Sequence, residues 1–173
     1  MIILATGDGK GKTTAAIGQA IRALGRDRKV FFCQFIKSEG YASGEDEILR
    51  GFGERLKFVK GGKGFVGILG DTLPREEHAA AARETLALAK AAAVSGEYGL
   101  VVMDEINVAV SLGLISTEDA LDVMDSAAPD CDIVLTGRGA TPDMIARADM
   151  VTECMEIKHP FHEKAPARKG IEY

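Results

Sequence analysis

Short apolar runs alternate with segments of helical periodicity along almost the whole chain. The apolar runs predict buried strands at residues 2–5, 30–36, 56–59, 100–103, 131–135 and 150–157. Helical patterns predict helices at residues 12–24, 45–50, 74–96 and 116–128, and a short helix from residue 141. This alternation predicts an α/β fold, with a mostly parallel sheet and helices on both faces. Ligands bind such sheets at the carboxyl ends of the strands.

Three segments carry more detailed predictions. The helix at 12–24 is expected to end at Gly25 and to bury the face that carries Ile17, Ala20, Ile21 and Leu24. The glycine cluster at 61–70 predicts a turning or mobile loop, because glycine density disfavours regular elements. Residues 158–173 show no periodicity and predict an irregular C-terminal tail.

The chain length and composition narrow the class of protein. A chain of 173 residues suits one domain, 1–173, with a sizeable core. The net charge of -5 gives no reason to expect nucleic acid or an anionic membrane as a partner. The scattered cysteines Cys33, Cys131 and Cys154 predict buried, reduced thiols. Because no signal peptide and no apolar run of about 20 residues is visible, we expect a cytoplasmic protein.

A glycine-rich segment with a lysine follows the first predicted strand and opens the first predicted helix. Backbone N–H groups in such a loop turn inward around phosphate oxygens, and the helix N-terminus adds positive partial charge. The usual spacing would put the first glycine at Thr6, so this loop is one residue shorter or differently bent. The predicted nucleotide-binding residues are Gly7, Asp8, Gly9, Lys10, Gly11, Lys12, Thr13 and Thr14.

The strand at 100–103 ends in two carboxylates, Asp104 and Glu105. Carboxylates beside a bound triphosphate supply the oxygen ligands that Mg²⁺ prefers, and the Thr13 hydroxyl adds another. The residues alone leave open which carboxylate contacts the metal. Asn107, just beyond, suits a ligand contact or a turn equally well.

Other polar residues also follow predicted strands. Arg138 lies between two glycines after the strand at 131–135, where it suits either a bidentate phosphate contact or an exposed turn. Gln34, Lys37 and Glu45 follow the second strand, and a solvated surface is the expectation for Glu45. Phe65, in the glycine cluster, suits either a flat ligand or a position under its own loop.

The histidines near the C-terminus are a weaker candidate site. His159 and His162 are three residues apart, a spacing that could serve a metal ion, but the intervening Pro160 breaks the helix such a pair needs.

Taken in order, the motifs resemble those of the ATP:corrinoid adenosyltransferases of the cobalamin-synthesis type. The segments that carry the resemblance are TGDGKGKTTAAIG at 6–18, QFIK at 34–37, VVMDE at 101–105, LTGRG at 135–139, KHPF at 158–161 and KGIEY at 169–173. They follow the family's order and cover nearly the whole chain. The resemblance implies a RecA-like P-loop domain, usually dimeric.

The resemblance also implies an unusual reaction. The Co(I) of a reduced corrinoid attacks the ribose C5′ of ATP, forms a Co–C bond and expels the intact triphosphate. Lys12 and Arg138 would then hold phosphates, Thr13 and Glu105 would lie near Mg²⁺, and Phe65 would contact the corrin. A separate electron donor would supply Co(I). Because the cobalt is the nucleophile, the reaction needs no nucleophile or general base from the protein.

The chain departs from the family pattern in two places. Many members have a second aromatic residue two positions after the phenylalanine, where this chain has Gly67. Some relatives also have an N-terminal extension that covers the site. From the residues alone, another P-loop kinase or ATPase, or a nucleotide-dependent switch protein, fits equally well; the resemblance favours the adenosyltransferase.

Overall fold

A computed structural model describes residues 1–40, 42–68, 70–163 and 166–171, so the last two residues of the KGIEY segment lie outside the described chain. Within these ranges the strands form one parallel sheet in the order β3-β2-β4-β5-β1-β6. The strands are β1 (Ile2–Thr6), β2 (Val30–Gln34), β3 (Leu56–Lys60), β4 (Leu100–Asp104), β5 (Asp132–Thr136) and β6 (Met150–Glu153). The predicted sheet is confirmed, although β6 ends at Glu153 and not near residue 157.

Helices cover both faces of the sheet, as predicted. The helices are α1 (Lys12–Leu24), α2 (Gly44–Gly51), α3 (Arg75–Val94), α4 (Ile106–Ser111), α5 (Thr117–Ser126) and α6 (Pro142–Arg147). Short 3₁₀ turns lie at Gly53–Arg55 and Pro160–Glu163, so the tail expected to be irregular contains one ordered turn. Helix α4 was not predicted, because six mainly apolar residues directly after a strand show no helical alternation.

The core has two layers, one on each face of the sheet. Val101 and Met103 of β4 pack in the layer with α3, α4, α5 and α6, whereas Leu100 and Val102 pack in the layer with α1. This alternation follows from the two-residue period of a strand. Among the described residues, no helix is both long enough and apolar enough to cross a bilayer.

The buried face of α1 differs in part from the prediction. Helix α1 buries Ala16, Ala20, Ala23 and Leu24, while Ile21 is 51% exposed. Three of these four buried apolar residues are alanines, and small side chains allow a helix to lie close to a sheet. Ala20 and Leu24 of the predicted face are buried and Ile17 packs against the same layer, so the prediction is wrong only at Ile21.

Candidate nucleotide site and its cleft

A row of buried polar side chains crosses the carboxyl ends of the central strands. Strand register aligns Lys60 with Gln34, and Gln34 with Asp104, while Thr136 ends the next strand, β5. All of these side chains point to the α1 face, because they continue the alternation of the α1 layer. Gln34, Asp104 and Thr136 are fully buried. The sheet therefore presents a fixed polar floor beneath the start of α1.

The glycine-rich segment 7–14 connects β1 to α1 above this floor. Gly11 is the N-cap of α1 and has a left-handed φ of 114°, which favours glycine. The N–H of Gly9 donates to Cys154 O at 2.6 Å, so the loop rests on the chain that follows β6. A methyl group on Gly9 would lie 2.5 Å from Met155 O, which explains the requirement for glycine there.

Lys12, the first residue of α1, is held inside its own loop. Its Nζ donates to Gly7 O at 2.6 Å and to Gly9 O at 2.5 Å, and the residue is only 7% exposed. An ammonium group has three N–H donors, so these two bonds fix its position and leave a third donor. The sequence motif thus places a positive charge at the centre of the loop.

Asp104 is the hub of the polar floor. Its Oδ1 accepts from Thr13 Oγ1 at 2.9 Å and from Thr136 Oγ1 at 2.6 Å, and its Oδ2 accepts from Gln34 Nε2 at 3.0 Å. The contact between Asp104 and Thr13 links the end of β4 to the first turn of α1. Asp104 and Thr13 were predicted from the sequence but Thr136 was not, although a polar residue at a strand end before glycine is a detectable signal.

Glu105 follows Asp104 but faces the cleft. Its φ of 64° is left-handed, and its backbone N–H donates to Thr136 Oγ1 at 3.0 Å. Burial, and after it the neighbouring charge of Asp104, raise the pKa of the Glu105 carboxyl, and against the opposing effect of Lys37, Lys12 and Arg138 the net value is about 7. A carboxylate in this position would favour a cation.

Arg138 lies beside the glycine-rich segment, on the loop after β5. Its guanidinium donates to Asp8 O at 3.0 Å, and its side chain is 62% exposed. Arg138 therefore lies at the outer edge of the loop, whereas the ammonium group of Lys12 lies inside it. Asn107 has a structural position, because its amide donates to Ala5 O at 3.2 Å and to Gly137 O at 3.0 Å.

A second polar group lies across the cleft, after β2. Lys37 pairs with Glu45 at 3.1 Å, and the Glu45 side chain is only 22% exposed, so the expected solvated position of Glu45 is wrong. The turn before α2 brings residue 45 back toward the sheet, which local sequence does not reveal. Burial alone would raise the pKa of Glu45, but a backbone hydrogen bond and Lys37 outweigh burial and hold the pKa below its usual value.

These groups line a cleft of about 1000 Å³. Its polar side contains the glycine-rich segment, Lys37, Glu105 and Arg138. Its apolar lining consists of Ile17, Ile36, Phe65, Ile68, Val108 and Ile171. Phe65 is 42% exposed and lines this space, so its position is open to a ligand, and its contact with a flat ligand stays a prediction.

One turn contains both histidine candidates, because the backbone N–H of His162 donates to His159 O at 3.2 Å. His159 lines the cleft, while His162 pairs with Glu156 at 2.5 Å. In the described part of the chain, no group of three or more His, Cys, Asp or Glu side chains could hold a metal ion. The zinc alternative therefore has no support in these residues.

A phosphate-type glycine loop between β1 and α1, with its threonine bonded to an aspartate at the end of a parallel strand, defines the class of P-loop nucleotide-binding proteins. Over residues 1–173 the sequence also matches a family model described as ATP:corrinoid adenosyltransferase BtuR/CobO/CobP. The chain belongs to this family, as the motifs predicted.

Curated relatives of this chain carry matching names. A corrinoid adenosyltransferase of Pseudomonas aeruginosa is 35% identical over 100% of this chain and 83% of its own length. One of Escherichia coli K12 is 34% identical over 100% of this chain and 85% of its own. One of Salmonella typhimurium is 32% identical over 100% and 85%.

Solved structures give weaker likenesses. A DNA replication initiation factor is 12% identical, covers 88% of this chain and 39% of its own, and has a TM-score of 0.44. The Pyrococcus furiosus Hef helicase domain is 15% identical, covers 91% and 35%, and has a TM-score of 0.43. Because both scores lie below 0.5, we draw nothing from them.

Proposed function

We propose that this protein transfers the 5′-deoxyadenosyl group of ATP to the Co(I) of a corrinoid and releases triphosphate, in adenosylcobalamin synthesis or corrinoid salvage. The observation that supports this most strongly is the composition of the cleft. One side carries the phosphate-type loop and the other carries exposed apolar residues, including Phe65. Such a space suits a nucleotide and a large flat ligand together.

Triphosphate is the leaving group in this reaction. As Co(I) donates an electron pair to C5′, the C5′–O bond breaks and negative charge grows on the triphosphate. The remaining N–H of Lys12, the loop amides and Arg138 would stabilise that charge. The proposed nucleotide-binding residues are those of segment 7–14, together with Arg138.

Magnesium fits the donor set beside this loop. A hydroxyl and carboxylates are the hard oxygen ligands that Mg²⁺ prefers, and Mg²⁺ commonly takes only one or two protein ligands alongside phosphates and water. Both Asp104 oxygens already accept hydrogen bonds, so Asp104 orients Thr13, and Glu105 is the carboxylate that lines the cleft. Thr13 and Glu105 would hold the ion, which would neutralise phosphate charge.

The corrinoid would lie against the apolar side, where we assign Phe65 as a contact. No serine or cysteine is among the described residues that line the cleft. This fits a reaction in which the substrate cobalt is the nucleophile and no covalent intermediate with the protein is required.

The remaining proposals concern the protein as a whole. We propose one domain over 1–173, since the described strands belong to one sheet. We also propose a homodimer in the cytoplasm, with a separate electron donor that supplies Co(I); family resemblance supports the dimer and the donor.

An anaerobic assay tests the proposed reaction. The protein is mixed with ATP, Mg²⁺ and chemically reduced cob(I)alamin or cob(I)inamide, and the corrinoid spectrum and phosphate products are followed. We expect a light-sensitive alkylcobalt product and one triphosphate per Co–C bond. Formation of ADP without alkylation of either corrinoid would instead identify a kinase or ATPase, and absence of turnover would favour a switch protein.

A further inference from the structure

One carboxylate organises the loop that carries Phe65 and Ile68. Asp71 accepts hydrogen bonds from the backbone N–H of Gly67 at 2.8 Å and of Leu73 at 3.0 Å. It also accepts from His78 Nε2 at 3.0 Å. The backbone donors from Gly67 and Leu73 hold the pKa of the Asp71 carboxyl below its usual value, as expected for a carboxylate with several donors.

His78 connects this carboxylate to the core. It lies in the first turn of α3 and is only 3% exposed, and the Asp71 side chain is 9% exposed. Because α3 packs on the sheet, the bond from His78 to Asp71 transmits the fixed position of the helix to the loop. We call this pair the Asp71–His78 brace.

Core packing reaches only part of the loop next to the cleft, because Val66 packs against the core whereas its neighbour Gly67 is exposed. Gly67 lies between Phe65 and Ile68, has a φ of 70°, and a methyl group on it would meet no atom within 4 Å. The loop's other described backbone bonds run from Gly64 N to Ile36 O at 3.0 Å and from Asp71 N to Ile68 O at 3.1 Å. Between these points, the bond from Gly67 to Asp71 fixes the backbone on which both apolar side chains depend.

We propose that Asp71 and His78 are positioning residues that hold Phe65 and Ile68 at the cleft in a conformation ready for the corrinoid. This proposal rests on the proposed function and names what orders its second substrate site. A loop that is ordered before binding loses less conformational entropy when the ligand arrives, so the brace raises corrinoid affinity. The brace touches none of the residues of segment 7–14, so nucleotide affinity is independent of it.

Four variants test the brace. Asp71→Asn removes the charge and turns one acceptor into a donor that opposes a backbone N–H. His78→Leu removes the donor with similar volume, whereas His78→Gln restores an N–H near the Nε2 position. Asp122→Asn is the matched control. Asp122, in α5, is an exposed carboxylate that pairs with Lys90 of α3, the helix that also carries His78, and the pKa of Asp122 is likewise lowered.

Two measurements are made on the full chain. The first is steady-state kinetics of adenosyltransfer, which gives kcat and the KM values for cob(I)alamin and for ATP. We expect Asp71→Asn to raise the corrinoid KM about tenfold, as for loss of a charge-assisted hydrogen bond, with the KM for ATP within about twofold. His78→Leu is expected to raise the corrinoid KM less, and His78→Gln and Asp122→Asn are expected to match the unmodified chain.

The second measurement is hydrogen exchange of the 66–74 backbone without corrinoid. Exchange should be faster in Asp71→Asn and His78→Leu than in the unmodified chain.

The proposal is overturned if Asp71→Asn and His78→Leu leave the corrinoid KM unchanged, or if both KM values rise together. It is also overturned if His78→Gln behaves like His78→Leu, because a donor at that position would then have no role. Should the unmodified chain form no Co–C bond, the proposed function fails separately. Hydrogen exchange would then still decide whether the brace holds the loop.

Discussion

Two glycine-rich segments border the same cleft, at residues 7–14 and 61–70, and their glycines serve different purposes. In the first, Gly9 packs directly against the backbone at Met155, and a side chain would collide with it. In the second, Gly67 faces open space and is required only for its positive φ. The second segment is also closely packed at its start, where a side chain on Gly61 or Gly62 would collide with its neighbours, but the part that lines the cleft is held by a single carboxylate, Asp71.

The polar groups differ in the same way. Beneath the first segment, Asp104 is fully buried and satisfied by side chains from three other elements of the fold. Beside the second, Asp71 accepts mainly from the backbone of its own loop. The first segment therefore shares the rigidity of the sheet, whereas the part of the second segment that lines the cleft depends on local bonds. A rigid phosphate site suits the triphosphate of a nucleotide, and the less rigid apolar side of the cleft suits a large flat ligand.

The largest expected effect separates the two segments by function. We expect Lys12→Ala to lower adenosyltransfer about 10²- to 10³-fold, the usual cost of removing a group that stabilises charge in the transition state. Phe65→Ala should lower corrinoid turnover while nucleotide affinity stays unchanged. Both are measured by steady-state kinetics and by nucleotide titration, with the exposed Lys57→Ala as the control. Equal loss of nucleotide binding in both variants would abolish the functional distinction.

Adding a methyl group to one glycine in each segment tests the structural distinction. Gly9→Ala forces the backbone away from Met155, so we expect a loss of about 1–3 kcal/mol in the free energy of unfolding and a clear fall in nucleotide affinity. Gly67→Ala costs only the left-handed conformation, about 1 kcal/mol, and should leave nucleotide affinity unchanged. Chemical denaturation and nucleotide titration measure both. If Gly67→Ala weakens nucleotide binding as much, the two segments are coupled.

Local features of the site could be predicted from the sequence. The helix that begins at Lys12, the glycine loop before it and the carboxylates that end β4 were all predicted, because each depends on neighbours in the chain. Strand ends in a parallel sheet share one edge, so their polar residues were expected to converge. Phe65 was singled out because it is an isolated aromatic residue among glycines.

Contacts that depend on strand order could not be predicted. Gln34, Asp104 and Thr136 meet because β2, β4 and β5 are neighbours, and nothing in the residues specifies that order. Glu45 was misplaced for a similar reason, since its burial depends on how α2 returns to the sheet. His78 drew no attention, because a lone histidine in an alanine-rich helix shows no pattern until the loop containing Asp71 folds beside it.

A buried threonine beneath each segment offers a matched pair of substitutions. Thr136→Val removes the donor to Asp104 and the acceptor for Glu105 N, so we expect a loss of about 1–3 kcal/mol in the free energy of unfolding. Nucleotide affinity in Mg²⁺ should also fall, because Thr13 shares the same carboxylate.

The substitution matched to Thr136→Val is Thr85→Val, because the Thr85 side chain lies against Gly61 of the second segment. It removes only a bond to Ala81 O within α3, so nucleotide affinity should be unchanged. Urea denaturation and nucleotide titration compare the two variants. A fall in nucleotide affinity for Thr85→Val equal to that for Thr136→Val would show that the first segment does not depend specifically on the polar floor.

A carboxylate lies beside each segment, Glu105 beside the first and Asp71 beside the second, and their pKa values shift in opposite directions. The pKa of Glu105 is raised from 4.5 to about 7, so the folded state retains a proton that the unfolded state releases. Stability is then lost as pH rises through this range, with a slope of at most about 1.4 kcal/mol per pH unit. The pKa of Asp71 is lowered, so its contribution is present above its unfolded value of 3.8 and is lost only as pH falls through its lower folded value.

Between pH 5 and 8 the two carboxylates should therefore behave differently. The unfolding free energy of Glu105→Gln relative to the unmodified chain should rise from pH 5 to about 7 and then level off. In a His78→Gln background, where no imidazole pairs with Asp71, the deficit of Asp71→Asn should stay constant over the whole window, because Asp71 is ionised in both the folded and the unfolded state there. Urea denaturation in EDTA without nucleotide measures both, since a bound cation would keep Glu105 ionised. A flat difference for Glu105→Gln would mean that the Glu105 carboxyl is hydrated in solution, and would contradict the buried, cation-binding position assigned to it beside the first segment.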